Sequence, residues 1–470
     1  MAHIQIFNHH IQLPYVVLAL LEFAVLGVCA GMSVLYNDPG YIFSGFSWRE
    51  PVVQYAVIYA LIMLLSTYAM GVYGAGVSEG FNSMFVRSIV SYCLLGAAAM
   101  VVLTILVPVL EVGRGALFGA VVSSMAIILL LRWAFYSLVD VAQLKRRILV
   151  LGAGKRAARI LGRLEREQFL GSQLVGFVPC GEGEPEVGAD HLISSSSSLP
   201  RIVEQYRVDE IVVALDERRR DKGTIFPLEE LLDCKMSGTH ITELVEFYER
   251  EFLRIELEEI NTSWMVFSDQ FRYNQIRDKS KRIFDVGVCL LLLSLAWPFM
   301  LLTALAVYLE SGGPVIYSQQ RVGYKGRHFE IYKFRSMRQD AEKDGKAVWA
   351  RKNDSRITRV GAFIRNTRLD ELPQLLNVLR GEMSFVGPRP ERPQFVEELS
   401  QELPFYDARH RVKPGLMGWA QLKYSYGASV EDAAEKLVYD LYYVKNHNVL
   451  LDVLIVVQSV EVILLGKGVR

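Results

Sequence analysis

Residues Ile283–Leu309 read IFDVGVCLLLLSLAWPFMLLTALAVYL, an apolar stretch long enough to cross a bilayer as a helix. Trp297-Pro298 lies near its middle. A proline inside a helix removes a hydrogen bond and clashes with the preceding turn, so the helix is expected to kink there. Whether this stretch crosses the membrane or turns back decides on which side of the membrane the rest of the chain lies.

The N-terminal part of the chain carries further apolar stretches, each near the ~20 residues of a spanning helix. They are Leu13–Leu35, Val52–Val72, Phe85–Leu110 and Ala116–Val139. Charges inside them are few, and Arg87 and Arg132 lie near helix ends, where long basic side chains can reach the interface. The first stretch follows no basic segment and is longer than the apolar core of a signal peptide, so we expect it to be retained. We predict four transmembrane helices within residues 1–143.

The basic cluster Lys145-Arg146-Arg147 sets the expected orientation, because the positive-inside rule places it in the cytoplasm. If Ile283–Leu309 crossed straight, the residues after it would lie outside the cytoplasm. No later segment would return them, since Val449–Leu465 is interrupted by charges and is typical of an amphipathic helix. We therefore predict, within residues 271–311, a re-entrant helix broken at Pro298. An ordinary fifth span kinked at Pro298 is the alternative.

The composition fits a membrane protein with sizeable soluble parts, since 51% of the 470 residues are hydrophobic, 22% are charged and the mean hydropathy is +0.22. The 51 basic and 51 acidic side chains give no net charge, which argues against nucleic-acid binding driven by bulk positive charge. The five cysteines lack CxxC or Cys/His spacing, so we expect neither a disulfide framework nor a zinc site.

Residues 144–270 have the pattern of a Rossmann-like α/β domain with a parallel sheet. The strand Ile148–Leu151 is followed by Gly152-Ala153-Gly154 and a helix start. Gly152 and Gly154 could admit the pyrophosphate of a dinucleotide to the helix N-terminus. The second strand ends at Val178 without an acidic residue to hold a ribose, which favours a structural or regulatory domain and leaves a cofactor loop as the alternative.

Residues 312–470 contain the strongest chemical signals. Asp370-Glu371 lies where a helix begins, since leucines recur after it at helical spacing and Gly381 suits a C-terminal cap. Such an acidic pair can simply cap a helix. More basic residues surround it than two carboxylates need, which indicates an anionic ligand. They are Lys333, Arg335, Arg365, Arg368 and Arg389.

The two carboxylates are expected to point in different directions, because adjacent helical residues diverge by about 100°. They cannot face each other across a sugar as a glycosidase pair does, but one can attack while the other holds a metal. A carboxylate can attack phosphorus when a metal and arginines reduce the repulsion between anions, and Mg²⁺ suits one carboxylate plus phosphates. His328, His410 and His447 stand apart and are expected to be structural.

Further motifs accompany the acidic pair, in a fixed order along the chain. They are Lys281-Arg282-x-x-Asp285, Lys333-Phe334-Arg335-Ser336-Met337, Leu369-Asp370-Glu371-Leu372-Pro373-Gln374 and Gly387-Pro388-Arg389-Pro390. Together they resemble the bacterial polyprenyl-phosphate sugar-1-phosphate transferases, also called monotopic phosphoglycosyl transferases. The apolar region and Rossmann-like domain before them resemble the long members, which start exopolysaccharide, capsule or O-antigen units.

The resemblance implies that Asp370 attacks the β-phosphate of a UDP-sugar, releasing UMP, and that Glu371 binds Mg²⁺. Undecaprenyl phosphate then takes the phosphosugar from the enzyme. Arg365 and Arg389 would hold phosphate groups, and further residues would line the site. These are Lys333, Arg335, Asp354, Arg356 and Gln421. The resemblance also implies a UDP-hexose donor such as UDP-glucose or UDP-galactose, the bacterial inner membrane with the catalytic domain in the cytoplasm, a homodimer, and downstream glycosyltransferases as partners.

Two features depart from the pattern of the shorter members. Trp297-Pro298 stands where they often have Ser-Pro, and no Asn-Gly-Arg-like turn follows Gln421. The stretch Glu243–Asp269, which includes Asn261-Thr262-Ser263-Trp264, resembles the subgroup of exopolysaccharide systems.

Two other functions are alternatives to sugar-phosphate transfer. A membrane-anchored NAD-dependent enzyme acting on sugar nucleotides would need an acidic ribose ligand and a Tyr-x-x-x-Lys pair in residues 144–270, and neither is found there. A non-catalytic nucleotide-sensing scaffold would have no need for Asp370-Glu371 beside Arg365 and Arg389.

Overall fold

The computed structural model describes residues 3–6, 9–37, 51–69, 85, 87–89, 91–106, 114–138, 146–166, 172–180, 184–194, 197–216, 226–260, 275–338, 356–424 and 429–464. The chain divides into two units, Met1–Leu253 and Arg254–Arg470. The backbone N–H of Ile255 donates to Val438 O (3.0 Å), so the residues after Leu253 already belong to the second unit. The division into domains at 143, 270 and 311 stays a prediction.

The first unit begins with a short hairpin and apolar helices. These are β1 (His3–Ile6), β2 (His9–Gln12), α1 (Leu13–Asn37), α2 (Pro51–Ala69), a π-helical turn (Ser91–Gly96) continued by α3 (Ala97–Leu106), and α4 (Arg114–Leu138). Three segments here are long and apolar enough to cross a membrane: Val16–Asn37, Arg87–Thr104 and Gly115–Phe135. Val52–Tyr68 is apolar but shorter. A fourth long apolar helix of the described chain lies in the second unit.

Arg132 does not reach out of the apolar region as its place near a helix end predicts. Its guanidinium makes two 2.7 Å hydrogen bonds to the Glu22 carboxylate and one of 2.6 Å to Ser88 Oγ. Arg132 is 1% exposed and Glu22 is fully buried, so the pair is enclosed between α1 and α4. A buried charge of this kind is tolerated because its partner neutralises it.

The rest of the first unit is a four-stranded parallel sheet with helices on both faces. The elements are β3 (Arg146–Leu151), α5 (Lys155–Arg166), β4 (Ser172–Val178), α6 (Leu199–Tyr206), β5 (Glu210–Val213), α7 (Leu228–Met236), β6 (His240–Glu243) and α8 (Leu244–Phe252). The strand order is β4-β3-β5-β6. Successive residues of β3, such as Leu149 and Val150, point to opposite faces of the sheet and lie in separate cores. The predicted class, membrane α plus α/β, is confirmed.

The first helix of the second unit is α9 (Gln275–Ser311), the fourth of the long apolar helices in the described chain. The structure has α9 as one helix that includes Pro298. The re-entrant break at Pro298 stays a prediction. Both of its ends are bound to this unit. Asp285 Oδ1 accepts from the N–H of Phe385 (2.9 Å), and the Glu310 carboxylate accepts from the N–H of Arg359 (2.9 Å). Between these ends, every residue from 290 to 302 is exposed or half-buried.

The remaining elements of the second unit are mostly helical and short. They are β7 (Ile316–Val322), β8 (His328–Phe334), α10 (Arg359–Asn366), a 3₁₀ helix (Leu369–Gln374), α11 (Leu375–Arg380), β9 (Ser384–Val386), α12 (Pro393–Glu402), a second 3₁₀ helix (Tyr406–Arg411), β10 (Gly415–Met417), α13 (Trp419–Lys423), α14 (Val430–Asn446) and α15 (Val449–Leu464). Strands β7 and β8 pair antiparallel, and β9 and β10 pair parallel.

The two C-terminal helices are more deeply buried than their sequence indicates. The spacing of Lys436 and Tyr439 predicts a surface or membrane-lying helix over Asp432–Asp440, but α14 is buried from Leu437 to Lys445. That prediction is wrong for Leu437–Asp440, because the apolar residues between Leu437 and Val444 cover the whole circumference of the helix. In α15, Asp452 is fully buried rather than part of a polar face.

Candidate active site

Asp370 and Glu371 lie in the short 3₁₀ helix that leads into α11. Arg368, immediately before it, has a left-handed backbone (φ 59°) that turns the chain from α10 into this helix. Gly381 ends α11 in the left-handed conformation (φ 83°), as its predicted role as a cap requires. Both carboxyl-bearing residues are only 8% exposed, so the pair is buried at the start of the helix as the sequence predicts.

Glu371 is surrounded by basic groups that come from separate elements. Its Oε1 accepts from Lys333 Nζ of β8 (3.0 Å) and from Arg389 Nη2 (3.1 Å), and Arg368 Nη1 lies at 3.9 Å. Burial alone would raise the pKa of Glu371, but these cations outweigh it and hold the pKa well below its usual range. Glu371 is therefore ionised at neutral pH.

Asp370 differs from its neighbour in both charge environment and hydrogen bonding. Burial and the adjacent Glu371 carboxylate raise its pKa, against smaller opposing effects of Lys333, Arg368 and Arg365. Its Oδ1 is buried and, among the described residues, has no hydrogen-bond partner. A buried acceptor without a partner is costly, so this atom does not stabilise the fold and is available to accept from a ligand.

Arg389 projects from a loop whose backbone is fixed from outside. Pro388 and Pro390 flank it and have no N–H to donate, so the loop cannot be held by donors of its own at these positions. Its carbonyl groups accept as follows: Val386 O from Lys281 Nζ (3.0 Å) and Tyr443 Oη (2.9 Å), Pro388 O from Gly415 N (2.9 Å), Arg389 O from Arg409 Nη2 (2.9 Å), Pro390 O from Arg321 Nη1 (3.1 Å) and Glu391 O from Val322 N (3.0 Å). The loop is thereby preorganised.

The other residues predicted from sequence have different surroundings. Arg365, at the end of α10, is near enough to lower the pKa of Asp370. Arg335 instead donates through Nη2 to Ser311 O (2.9 Å) and so binds the C-terminal end of α9. Gln421 lies on α13, which begins directly after Gly418. Gly418 packs against Gly387 of the loop that carries Arg389.

The roles predicted for Arg356 and Asp354 stay predictions. Arg356 pairs through its backbone carbonyl with the N–H of Arg338 (3.0 Å). Asp354 lies outside the described residues, as do Asn261–Trp264 of the stretch that resembles the exopolysaccharide subgroup.

Sequence reasoning missed the contacts between buried groups that support the loop. Lys281 Nζ contacts Asp452 Oδ2 (2.6 Å), and Tyr443 Oη contacts the other oxygen of that carboxylate (2.7 Å). Arg409 is 7% exposed and contacts Asp440 Oδ2 (2.8 Å). The available signal was chemical: Asp440 and Asp452 each lie within a run of apolar residues, where a charge requires a partner.

The glycine loop of the first unit is already occupied by a carboxylate of the same unit. Asp216 accepts from the backbone N–H groups of Lys155 (2.8 Å) and Arg156 (2.8 Å), the first residues of α5. Gly154 packs directly against the same carboxylate. A dinucleotide pyrophosphate binds where these N–H groups point. The residues present therefore do not fit a dinucleotide in its usual place.

Replacing Asp216 by alanine is expected to destabilise the α/β part by about 1 kcal/mol, because two N–H groups at the helix start lose their acceptor. Asp216→Asn should lose less, since its amide oxygen still accepts. Thermal unfolding of the purified protein in detergent checks this. Asp190→Ala, in a separate 3₁₀ turn of the same unit, is the matched control and should leave the unfolding midpoint unchanged. An unchanged midpoint for Asp216→Ala would contradict the capping role.

Comparisons with known proteins identify relatives of the second unit and of longer parts of the chain. Residues 276–466 match the family described as bacterial sugar transferase. The UDP-N-acetylgalactosamine-undecaprenyl-phosphate N-acetylgalactosaminephosphotransferase of Aeromonas hydrophila is 49% identical over 190 residues, which are 40% of this chain and 45% of that protein. The UDP-glucose:undecaprenyl-phosphate glucose-1-phosphate transferase of Klebsiella pneumoniae is 34% identical over 322 residues, 67% of each chain. The exopolysaccharide production protein PSS of Rhizobium leguminosarum bv. phaseoli is 41% identical over 197 residues, 40% of this chain and 97% of that protein.

Proposed function

Because this chain belongs to the bacterial sugar transferase family, we propose that it transfers a sugar-1-phosphate from a UDP-sugar to undecaprenyl phosphate and releases UMP. One observation carries the proposal: a buried acceptor without a partner, Asp370 Oδ1, lies beside a carboxylate that two cations already neutralise. The match to the Aeromonas protein spans less than half of that relative, so substrates and activity are proposed for this chain.

Transfer proceeds in two displacements at one phosphorus atom. Asp370 Oδ1 attacks the β-phosphorus of the UDP-sugar, the bond from that phosphorus to the bridging oxygen breaks, and UMP leaves with the electron pair. An oxygen of undecaprenyl phosphate then attacks the same phosphorus, and the bond to Asp370 breaks. Lys333 and Arg389 offset the negative charge that gathers on the phosphoryl oxygens, and Arg365 adds to this potential.

Mg²⁺ is the cofactor that suits this pair of carboxylates. Among the described residues no group of three or more His, Cys, Asp or Glu could hold a metal, but Mg²⁺ is usually held by one or two carboxylates with substrate phosphates. The unpartnered Asp370 Oδ1 and the ionised Glu371 beside it fit this need, with Glu371 as the protein ligand. When bound, the ion would reduce the charge repulsion between the diphosphate and the nucleophile.

The way in which α9 is attached supports a re-entrant position in the membrane. Asp285 and Val307 are separated by ~33 Å along a straight helix, which exceeds the hydrocarbon core of a bilayer. Yet residues near both positions contact the second unit: Asp285 binds Ser384 and Phe385, while Val307 packs with Phe334 and Ile364. The exposed middle of the helix is therefore proposed to enter the inner membrane and return to the cytoplasmic leaflet, where nucleotide sugar and lipid phosphate meet.

The relatives' names and the sequence resemblance give the donors to test. One relative is named for N-acetylgalactosamine phosphate and another for glucose phosphate. UDP-N-acetylgalactosamine and UDP-glucose, together with the UDP-galactose that the resemblance implies, therefore form the panel. A homodimer and downstream glycosyltransferases of polysaccharide biosynthesis stay predicted partners.

The test is UMP release by the full-length protein in lipid, with each UDP-sugar, with and without undecaprenyl phosphate and with Mg²⁺ or a chelator. Release of UMP together with a lipid-linked phosphosugar, both lost with the chelator, is the expected result. Release from no UDP-sugar would refute the proposal and favour a nucleotide-sensing scaffold.

A further inference from the structure

Arg409 is a buried arginine near the proposed active site, and the transfer chemistry does not use it directly. It lies in the 3₁₀ helix Tyr406–Arg411 and is 7% exposed. Its Nη1 donates to Tyr406 Oη (2.6 Å), and its Nη2 contacts both Asp440 Oδ2 (2.8 Å) and the carbonyl oxygen of Arg389 (2.9 Å). Burial lowers the pKa of Arg409, but Tyr406 and Asp440 outweigh it and raise the pKa overall, so the group stays charged.

The hydrogen bond from Arg409 to Arg389 O fixes the backbone of a residue whose side chain lies in the proposed active site. Arg389 is the loop residue whose side chain reaches Glu371 (3.1 Å), and its two flanking prolines cannot donate hydrogen bonds. The side chain of Arg389 is 29% exposed and reaches the Glu371 carboxylate. The place of its guanidinium at the acidic pair depends on where the backbone of Arg389 is held.

We propose that Arg409 is a positioning residue for transfer: anchored by Asp440 and Tyr406, it holds the backbone of Arg389 so that the Arg389 guanidinium meets the diphosphate of the nucleotide sugar. The inference rests on the proposed function and adds a residue outside the motifs that carry it. Asp440 comes from α14, so the loop is attached through Arg409 to the central helix of the second unit.

A lysine cannot replace Arg409 in this arrangement. The planar guanidinium reaches a carbonyl, a hydroxyl and a carboxylate at the same time, whereas an ammonium is a point charge on a flexible stem. Arg409→Lys keeps the buried charge opposite Asp440 and loses the fixed geometry. This separates positioning of Arg389 from simple neutralisation of Asp440.

Arg254 offers a matched control. It is also buried (1% exposed), pairs with Glu435 (3.2 Å) and stacks on Tyr439, the residue before Asp440 on the same helix. Its contacts do not include the Val386–Glu391 loop in the described structure. Arg254→Lys should therefore affect unfolding of this unit without affecting nucleotide binding.

The experiment measures binding of UDP to the full-length protein in detergent by calorimetry, for Arg409→Lys, Arg389→Lys, the double variant and Arg254→Lys. A readout of binding does not depend on turnover. Each of the first two variants should weaken UDP binding about tenfold, as expected for loss of one charge-assisted contact, and the double variant should be no weaker than Arg389→Lys alone. KM for the UDP-sugar should rise in the same proportion while kcat changes less.

The outcomes separate this inference from the proposed function. Additive effects in the double variant, or UDP binding by Arg409→Lys as tight as in the unchanged protein, would overturn the positioning role even if UMP release persists. Because a buried arginine variant can fail to fold, Tyr406→Phe serves as a milder change that removes one anchor of Arg409. If the unchanged protein neither binds UDP nor releases UMP, the proposed function fails and the inference fails with it.

Discussion

Asp370→Asn is expected to lower UMP release from the UDP-sugar by at least about a thousandfold, because the amide keeps the shape of the carboxylate but cannot attack phosphorus. The atom that we propose to attack is the buried Oδ1, which has no partner among the described residues, so the substitution should disturb few existing contacts. The measurement is UMP release together with mass spectrometry of the intact protein for a covalent phosphosugar.

Two controls are needed: one excludes deamidation of the new asparagine back to aspartate, and the other excludes a general effect of the substitution on folding. Asp370→Ala cannot regenerate aspartate by deamidation, so it should show the same loss. Asp407→Asn changes a carboxylate of the same unit that is 75% exposed, and it should leave release unchanged. Activity that persists in both Asp370 variants would exclude Asp370 as the nucleophile and would direct attention to Glu371, whose strongly lowered pKa keeps it ionised.

The acidic site could be predicted from sequence because its signals are local. The helix start, the adjacent carboxylates and the C-cap at Gly381 lie within a dozen residues, where spacing directly implies geometry. The structure adds that Lys333 and Arg389 both bind Glu371, which spacing alone does not tell. Their convergence depends on the β7–β8 hairpin and the proline loop meeting at one point.

The supporting contacts were missed because they join distant parts of the chain. Lys281 and Asp452 are 171 residues apart, and nothing in either local pattern selects the other as a partner. Taken by itself, Asp452 in an apolar helix indicated a polar face, and Arg132 near a helix end indicated a side chain that reaches the interface. Both interpretations fail for the same reason: a charge can enter an apolar interior when an opposite charge meets it there.

Lys281→Met is expected to destabilise the second unit by about 3–5 kcal/mol, because it leaves the fully buried Asp452 without its cation. The change also removes a donor from Val386 O, the first carbonyl of the loop that carries Arg389. Thermal unfolding in detergent should show the loss, and UMP release should fall with it. Lys279→Met, two residues earlier and exposed, is the matched control and should change neither.

The double variant Lys281→Met/Asp452→Leu distinguishes stability from positioning. Removing both charges from the interior should restore much of the unfolding midpoint, since a buried ion pair adds little over apolar packing of similar volume. Val386 O would then retain only the Tyr443 hydroxyl as a donor. We expect a folded protein whose UMP release stays below that of the unchanged enzyme, because the lysine links α9 to the loop that carries Arg389. Full recovery of release would show that Lys281 serves only to neutralise Asp452.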